Sequence, residues 1–275
     1  ATDANGVTSF NADGFTVGDQ VDYGTGNMVA WNWKAGGTAA SNTDGSITSS
    51  VSANPTAGFS IAAYTGTGSA ATVGHGLSSA PELIITKKRS STASNKNWFV
   101  AATPMGTGNT VLELNSTNAV ATPSPAAYDD PHSTASVVDF ETNANINESG
   151  ETYIMYCFHS VEGYSKVFEW DGNSNADGTF VYLGFKPAFT LLKCYSGSAT
   201  QEWVMFDDAR NTYNVVNNFL YADTSAAESS SASRIVDFVS NGLKFRGNDG
   251  ATNTSGRSYI GYAVASSPFK TSNAR

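Results

Sequence analysis

Short apolar runs separated by clusters of Gly, Asn, Asp and Ser recur along the whole chain, and their length and alternation are those of strands. In residues 153–158, Tyr153, Met155 and Cys157 fall on one face of an extended segment, and Ile154, Tyr156 and Phe158 on the other. Both faces are apolar, which predicts a central strand covered on both sides. Phe180-Val-Tyr-Leu183 and Phe189-Thr-Leu-Leu192 are further runs of this kind. Asp13-Gly14, Asp44-Gly45, Asp177-Gly178, Asn241-Gly242 and Asp249-Gly250 supply the positive φ that tight hairpins use. The strongest helical candidate, residues 209–217, is β-branched and Asn-rich, and so a poor helix former. The pattern predicts an all-β chain built of β-sandwich, jelly-roll-like copies.

Self-similarity organises those strands. Residues 149–156 (Ser-Gly-Glu-Thr-Tyr-Ile-Met-Tyr) line up with residues 255–262 (Ser-Gly-Arg-Ser-Tyr-Ile-Gly-Tyr), an offset of 106. The same offset carries Pro81 onto Pro187 and Lys87 onto Lys193, and one residue of slippage puts Trp98 on Trp203. An offset of 98 relates Val137-Val-Asp-Phe140 to Ile235-Val-Asp-Phe238. These matches predict two tandem sandwich repeats of about 106 residues, 57–162 and 163–275, the second including a C-terminal tail. Residues 9–15 resemble residues 237–243, and residues 28–33 resemble residues 153–158. Residues 1–34 therefore read as the last third of a preceding copy. They are expected to pack on the first full copy or on a neighbouring chain, because an incomplete copy leaves strands unpaired and apolar faces wet. Residues 35–56, low in apolar side chains, read as a linker or surface hairpin. Ala1 follows no initiator Met and no leader, as in a processed product or a piece of something longer.

The 275 residues are 40% hydrophobic and 12% aromatic, enough for a sizeable core. Only 14% are charged, against about 25% in an average soluble domain, so hydroxyls and amides must form much of the polar surface. That balance points to an extracellular or virion protein. The net charge of −9 argues against nucleic acid and anionic membrane as partners, which need clustered Lys and Arg. No apolar stretch approaches the roughly 20 residues of a membrane span. Between Lys96 and Lys166 every charge is acidic. This is a solvated acidic surface, or a face that meets the Lys87-Lys88-Arg89 cluster of an adjacent copy or chain. Cys157 and Cys194, in strand-like runs without zinc spacing, read as unpaired buried thiols.

Candidate chemistry is sparse. Glycan cleavage takes two carboxylates at a set separation. Neither Asp129-Asp130 nor Asp207-Asp208 recurs in the other copy, and strand neighbours point to opposite faces, so both doublets read as solvated loop acids. Residues 171–178 (Asp-Gly-Asn-Ser-Asn-Ala-Asp-Gly) alternate oxygen-bearing side chains as a calcium loop does, but the closing bidentate Glu is missing. A polar hairpin tip stiffened by Asx turns fits better. His75, His132 and His159 lack ligand spacing, and the Gly-rich pieces lack the Lys and helix of a phosphate cradle. No catalytic residue, metal site or cofactor is expected. Trp31, Trp33, Trp98 and Trp203 read as core. Trp170, at a strand end leading into the polar loop, is the best candidate for an exposed aromatic able to stack on a sugar or anchor a partner, the alternative being a core side chain like the others. The candidate binding residues are Trp170, Asp171, Asn173, Asn175 and Asp177.

Several motifs together carry a family resemblance: Met28-Val-Ala-Trp-Asn-Trp-Lys-Ala-Gly-Gly37, Asn42-Thr-Asp-Gly-Ser-Ile-Thr48, Tyr64-Thr-Gly-Thr-Gly-Ser69, Val73-Gly-His-Gly-Leu77 and Tyr153-Ile-Met-Tyr-Cys-Phe158. The chain resembles, over nearly its whole length, a repeat domain of uncharacterised function in tail-fibre and other virion structural proteins of marine tailed phages, cyanophages included. The last residues, 268–275, are similar to the natural C-terminus of those chains. The resemblance implies a virion component and brings no catalytic residues with it. The expectation is a non-enzymatic structural protein on the outside of a phage particle, in a distal tail fibre or comparable appendage, whose loops bind a bacterial surface glycan or protein. Its expected partners are copies of itself, a trimer being favoured, and other virion proteins. The alternative is a purely architectural capsid or appendage decoration protein or filament subunit; a polysaccharide-degrading enzyme comes third.

Overall fold

A computed structural model describes residues 6–12, 14–18, 29–90, 97–106, 109–197 and 200–267. The chain divides into two compact units, Ala1–Lys34 and Ala35–Arg275. The described part of the first holds an antiparallel hairpin of β1 (Val7–Phe10) and β2 (Phe15–Val17), closed by Asn11 N donating to Gly14 O at 2.7 Å. The segments 9–15 and 237–243, similar in sequence, thus both lie in hairpins. The C-terminal residues 268–275 lie outside the described residues.

The second unit is an array of short strands broken by Gly- and Asn-rich turns. Its first half contains β3 (Ala40–Asn42), β4 (Ser49–Asn54), β5 (Phe59–Thr65), β6 (Ala71–Gly74), β7 (Leu83–Lys88), β8 (Trp98–Ala102), β9 (Leu112–Glu113), β10 (Tyr128–Ser133), β11 (Val137–Phe140), the single helical turn α1 (Ala144–Asn147) and β12 (Thr152–Phe158). Its second half contains β13 (Ser165–Asp171), β14 (Phe180–Tyr182), β15 (Pro187–Ser196), β16 (Val204–Asp207), β17 (Asn218–Tyr221), β18 (Ser229–Ser230), β19 (Val236–Val239), β20 (Gly242–Phe245) and β21 (Ser258–Ala265). Residues 40–54, read from sequence as linker or surface hairpin, are β3 and β4 at the edge of the first large sheet.

Each half is a two-layer β-sandwich with its own core. In the first, the sheet β3-β4-β5-β12-β7-β8-β9 covers the sheet β10-β11-β6; in the second, β13-β21-β15-β16-β17-β18 covers β14-β20-β19. β12 is paired on both sides, by β5 and β7, and its Tyr153, Met155 and Cys157 are fully buried against Val73, Tyr128, Val138 and Phe140. Burying one such side chain is worth about 1.5–3 kcal/mol, so the central strand anchors the layer. Cys157 and Cys194 are free and buried, and burial raises both thiol pKa values.

Strand registers in the two halves coincide at one spacing. Thr152 pairs with Thr65 and Tyr153 with Lys88; Ser258 pairs with Asp171 and Tyr259 with Cys194, every position shifted by 106. In the small sheets, β11 pairs with β6 and β20 with β14, so the counterpart of β11 is β20. The 98-residue match therefore joins strands that are not equivalent, because Ile235-Val-Asp-Phe238 runs into β19, the counterpart of β10. Both strands send alternating Val and Phe into a core, and alternation alone does not tell them apart.

The ends of the sandwiches are closed by buried amides. Asn147 accepts from Thr67 N (2.9 Å) and donates to Ser69 O (2.7 Å) and Glu141 O (2.8 Å). Asn253 accepts from Asn173 N (3.1 Å) and donates to Asn175 O (3.1 Å) and Gly247 O (2.7 Å). Both side chains are fully buried, and all four residues of each set differ by 106. The Tyr153 hydroxyl donates to Ala144 O (2.9 Å) and accepts from Glu148 N (2.8 Å); the Tyr259 hydroxyl does the same with Gly250 O (3.1 Å) and Thr254 N (2.8 Å). Replacing Asn147 or Asn253 by Ala strands backbone groups of two loops at once. Each substitution is expected to lower the unfolding free energy by about 2–4 kcal/mol, measured as a fall in denaturant midpoint at constant slope.

Candidate functional site

The loop after β13 does not hold an exposed aromatic. Trp170 is only 5% exposed; it stacks on Phe245 (4.7 Å) and Tyr259 (5.0 Å), and its indole N–H donates to Thr252 O at 2.8 Å. This corrects the expectation from sequence, and alternation gives the reason. Phe168 and Trp170 share one face of β13, and that face looks into the core. Its counterpart in the first half is Tyr64, which stacks on Tyr153 (5.2 Å) and sends its hydroxyl to Ile146 O (2.6 Å).

The polar residues that follow are exposed and turn to separate partners. Asp171 Oδ1 accepts from Ser258 Oγ (2.8 Å). The Asn173 side chain accepts from Asn175 N (3.0 Å) and the Asn175 side chain from Asp177 N (2.9 Å), two successive Asx turns resting on Asn253. Asp177 pairs with Lys244 (2.8 Å) and lies 3.8 Å from Arg246; the Lys244 hydrogen bond and charge hold its pKa below the ordinary carboxylate value. Asp171 and Asp177 thus point to different partners. Among the described residues no group of three or more His, Cys, Asp or Glu is placed to hold a metal ion.

A concave polar site lies elsewhere, in the loop between β16 and β17. Residues 208–217 form turns rather than the weakly indicated helix, because their asparagines bond to backbone instead of leaving it to helical pairing. Asn211 Oδ1 accepts from Asn217 N (3.2 Å) and Asn218 N (2.8 Å), fixing the start of β17. Asn214 accepts from Phe238 N (2.9 Å) and donates to Phe238 O (3.1 Å), so a side chain acts as a strand partner of β19. Between these fixed points a cavity of about 190 Å³ opens, lined by Lys186, Asp208, Asn211, Tyr213 and Asn214 over an apolar floor of Val216 and Phe238.

The two neighbouring acids divide there. Asp207, buried, accepts from Arg210 N (2.9 Å) and pairs with the Arg210 guanidinium (2.5 Å). Asp208 lines the cavity, and burial raises its pKa, with Lys186 pulling the other way and Asp207 adding to the rise. Tyr213 stands at the rim, 85% exposed. Asn211 Nδ2 donates to nothing among the described residues, and Lys186 and Asp208 have no ion-pair partner there within 4 Å.

The first half has no such site. Register places Thr103 where Asp208 stands: Thr103 N donates to Glu82 O and Asp208 N to Ala188 O, both at 2.9 Å. The paired residues Phe99 and Glu113 are 14 positions apart, and their counterparts Val204 and Tyr221 are 17 apart. The second half therefore carries three extra residues where the cavity forms. That length difference was present in the sequence and is the signal that would have found the site.

Comparison with family models matches residues 1–268 to DUF7483, described as a domain of unknown function. The chain belongs to the DUF7483 family. The curated proteins and the solved structures return no match. The DUF7483 match runs through the N-terminal hairpin and both sandwiches, so the cavity lies within the family domain.

Two outcomes follow for this DUF7483 chain. Trp170→Ala is expected to cost about 3–5 kcal/mol of stability, as a core truncation does, while Asp177→Asn leaves the unfolding midpoint nearly unchanged; equal small losses would return Trp170 to the surface. For Asp208 the folded pKa is raised, so its contribution to stability is complete below the unfolded carboxylate pKa and is lost as pH rises through the folded value. Asp208→Asn is expected to raise the thermal midpoint at about pH 7 and to leave it nearly unchanged at about pH 3.

Proposed function

We propose that this chain is a non-enzymatic structural and recognition module of a phage virion appendage, and that the cavity between Asp208 and Tyr213 takes a sugar ring of a bacterial surface glycan. One observation carries the reading: a fixed set of polar groups with unused bonding capacity, Asp208, Lys186 and Asn211 Nδ2, faces a small cavity beside an exposed tyrosine. Vicinal sugar hydroxyls both donate and accept, which suits a carboxylate beside an ammonium and an amide. The C–H face of the ring suits an exposed aromatic with an apolar body and a polar tip.

At about 190 Å³ the cavity is smaller than the roughly 300–1,000 Å³ of pockets for drug-sized ligands, which favours a single ring over a long chain. Asp208 is the one carboxylate lining it, where hydrolysis of a glycosidic bond takes two, so the reading is binding without cleavage. The virion setting rests on the motif resemblance and on the charge-poor polar surface. Repetition along an appendage, with a trimer as the favoured assembly, would add weak single contacts into useful avidity.

The test is a glycan array followed by titration of the best hit. Tyr213→Ala and Asp208→Asn are each expected to weaken binding at least about tenfold, about the cost of one aromatic or charge-assisted contact, with Asp177→Ala unchanged. Binding that ignores both cavity variants, or no binding to any host-surface glycan, overturns the reading.

A further inference from the structure

The seam between the two sandwiches is built from main-chain groups of one half and a lysine–tryptophan pair of the other. From the first half, the hairpin that crosses from Val111 to Ala121 supplies the acceptors. Trp203 Nε1 donates to Glu113 O (2.9 Å), Lys193 Nζ to Ser116 O (3.4 Å), and Gln201 N to Thr117 O (2.9 Å); Val120 N donates back to Tyr195 O (3.0 Å). Lys193 and Trp203 are at most 2% exposed, with Lys193 Nζ 5.7 Å from the Trp203 ring centre. Every group that the Val111–Ala121 hairpin contributes to these four bonds is backbone, so they make little demand on the sequence of the hairpin received.

Both parts of this seam recur at the opposite ends of the array. The counterpart of the inserted hairpin is Phe219–Ser229: the cross-strand pairs are residues 111 and 121 in one and 219 and 229 in the other, the same span. Its tip, residues 224–230, is exposed throughout. The counterpart of the receiving pair is Lys87 and Trp98, cross-strand partners on β7 and β8 with Lys87 Nζ 5.4 Å from the Trp98 ring centre. Trp98 is half-buried, stacks on Tyr156 (6.4 Å), and its indole N–H makes no hydrogen bond among the described residues. Where Trp203 has Glu113 O, the Trp98 indole has no acceptor among the described residues.

We propose that the tip of the Phe219–Ser229 hairpin of one copy of this chain seats on the Trp98 face of a second copy, repeating between molecules the seam that joins the two halves within one. The main-chain acceptors are Tyr221 O and Thr224 O, counterparts of Glu113 O and Ser116 O. The contact is heterologous, head to tail. It therefore generates a ring or an open filament rather than a two-fold dimer. It does not depend on the glycan reading.

The test is sedimentation of the 275-residue chain up to about 1 mM, the effective concentration that tethered modules experience. Wild type is expected to self-associate progressively. Trp98→Ala blocks the receiving face and Ala226→Arg the inserting tip, so each variant alone is expected to stay monomeric and folded, with a cooperative thermal transition that Trp98→Ala shifts downward through its lost stack on Tyr156. Mixed in equal amounts they are expected to form a one-to-one dimer and nothing larger, because each retains the end that the other lacks. Trp98→Phe, which keeps the ring packing and removes the indole donor, is expected to weaken association about fivefold. A wild-type chain that stays monomeric at about 1 mM, a variant that associates like wild type, or a mixture that forms no dimer overturns the proposal.

Discussion

The constraint on which this fold turns is the closing of each sandwich end without water and without charge. Where a strand leaves one sheet for the other, its main chain passes through the interior, and every buried N–H and C=O needs a partner. Asn147 and Asn253 meet that need with one acceptor and two donors each, joining three chain segments through a single neutral side chain. A carboxylate there would lack the donors, and an ammonium would lack the acceptor and carry the cost of a buried charge. The aromatic pairs Tyr64–Tyr153 and Trp170–Tyr259 stack directly beside the amides, and both rings of each pair reach a carbonyl of the same turn. Amide, stack and turn are thus one device, used twice.

That device explains why residues 171–177 are structural. Their polar density looked like ligand capacity, but Asn173 and Asn175 spend theirs on local turns and on Asn253. The fold class was legible because alternation in strands such as β12 and β21 survives any detail of packing. The 106-residue offset was visible where the same residue recurs at the same place in a strand, as Tyr153 and Tyr259 do in β12 and β21. The direction in which Trp170 points was equally available, from Phe168 two positions earlier, but its place at a strand end beside an acid outweighed that cue. The cavity was illegible as chemistry: Asp208, Asn211 and Tyr213 look like any polar loop until the extra length of the segment is measured against its counterpart.

The two halves therefore keep their interior and differ at their rims. Three additional residues after β16 do not disturb the sheet, since loop closure costs little per added residue. They do shift Asn211 and Asn214 into positions where each bonds backbone and together hold a depression open. Asp208 stays ionisable there although burial opposes its charge. A carboxylate held there against the cost of burial is what the proposed binding role calls for.

The buried Lys193 makes a parallel point about assembly. Burial pushes its pKa down to about 8, with Asp223, Cys194 and Glu202 pulling it back up. A methionine in that place would avoid the cost of taking an ammonium out of water, and exchanges of that kind are often neutral or stabilising. What the ammonium adds is direction: it bonds Gln201 O in its own half and Ser116 O in the other, over the face of Trp203. Apolar packing alone would let one sandwich slide on the other, whereas a donor shared between two loops fixes their register. In a chain with a net charge of −9, long-range charge pushes copies apart. A seam of main-chain acceptors around one embedded cation is a way to join modules that does not rely on the surface field.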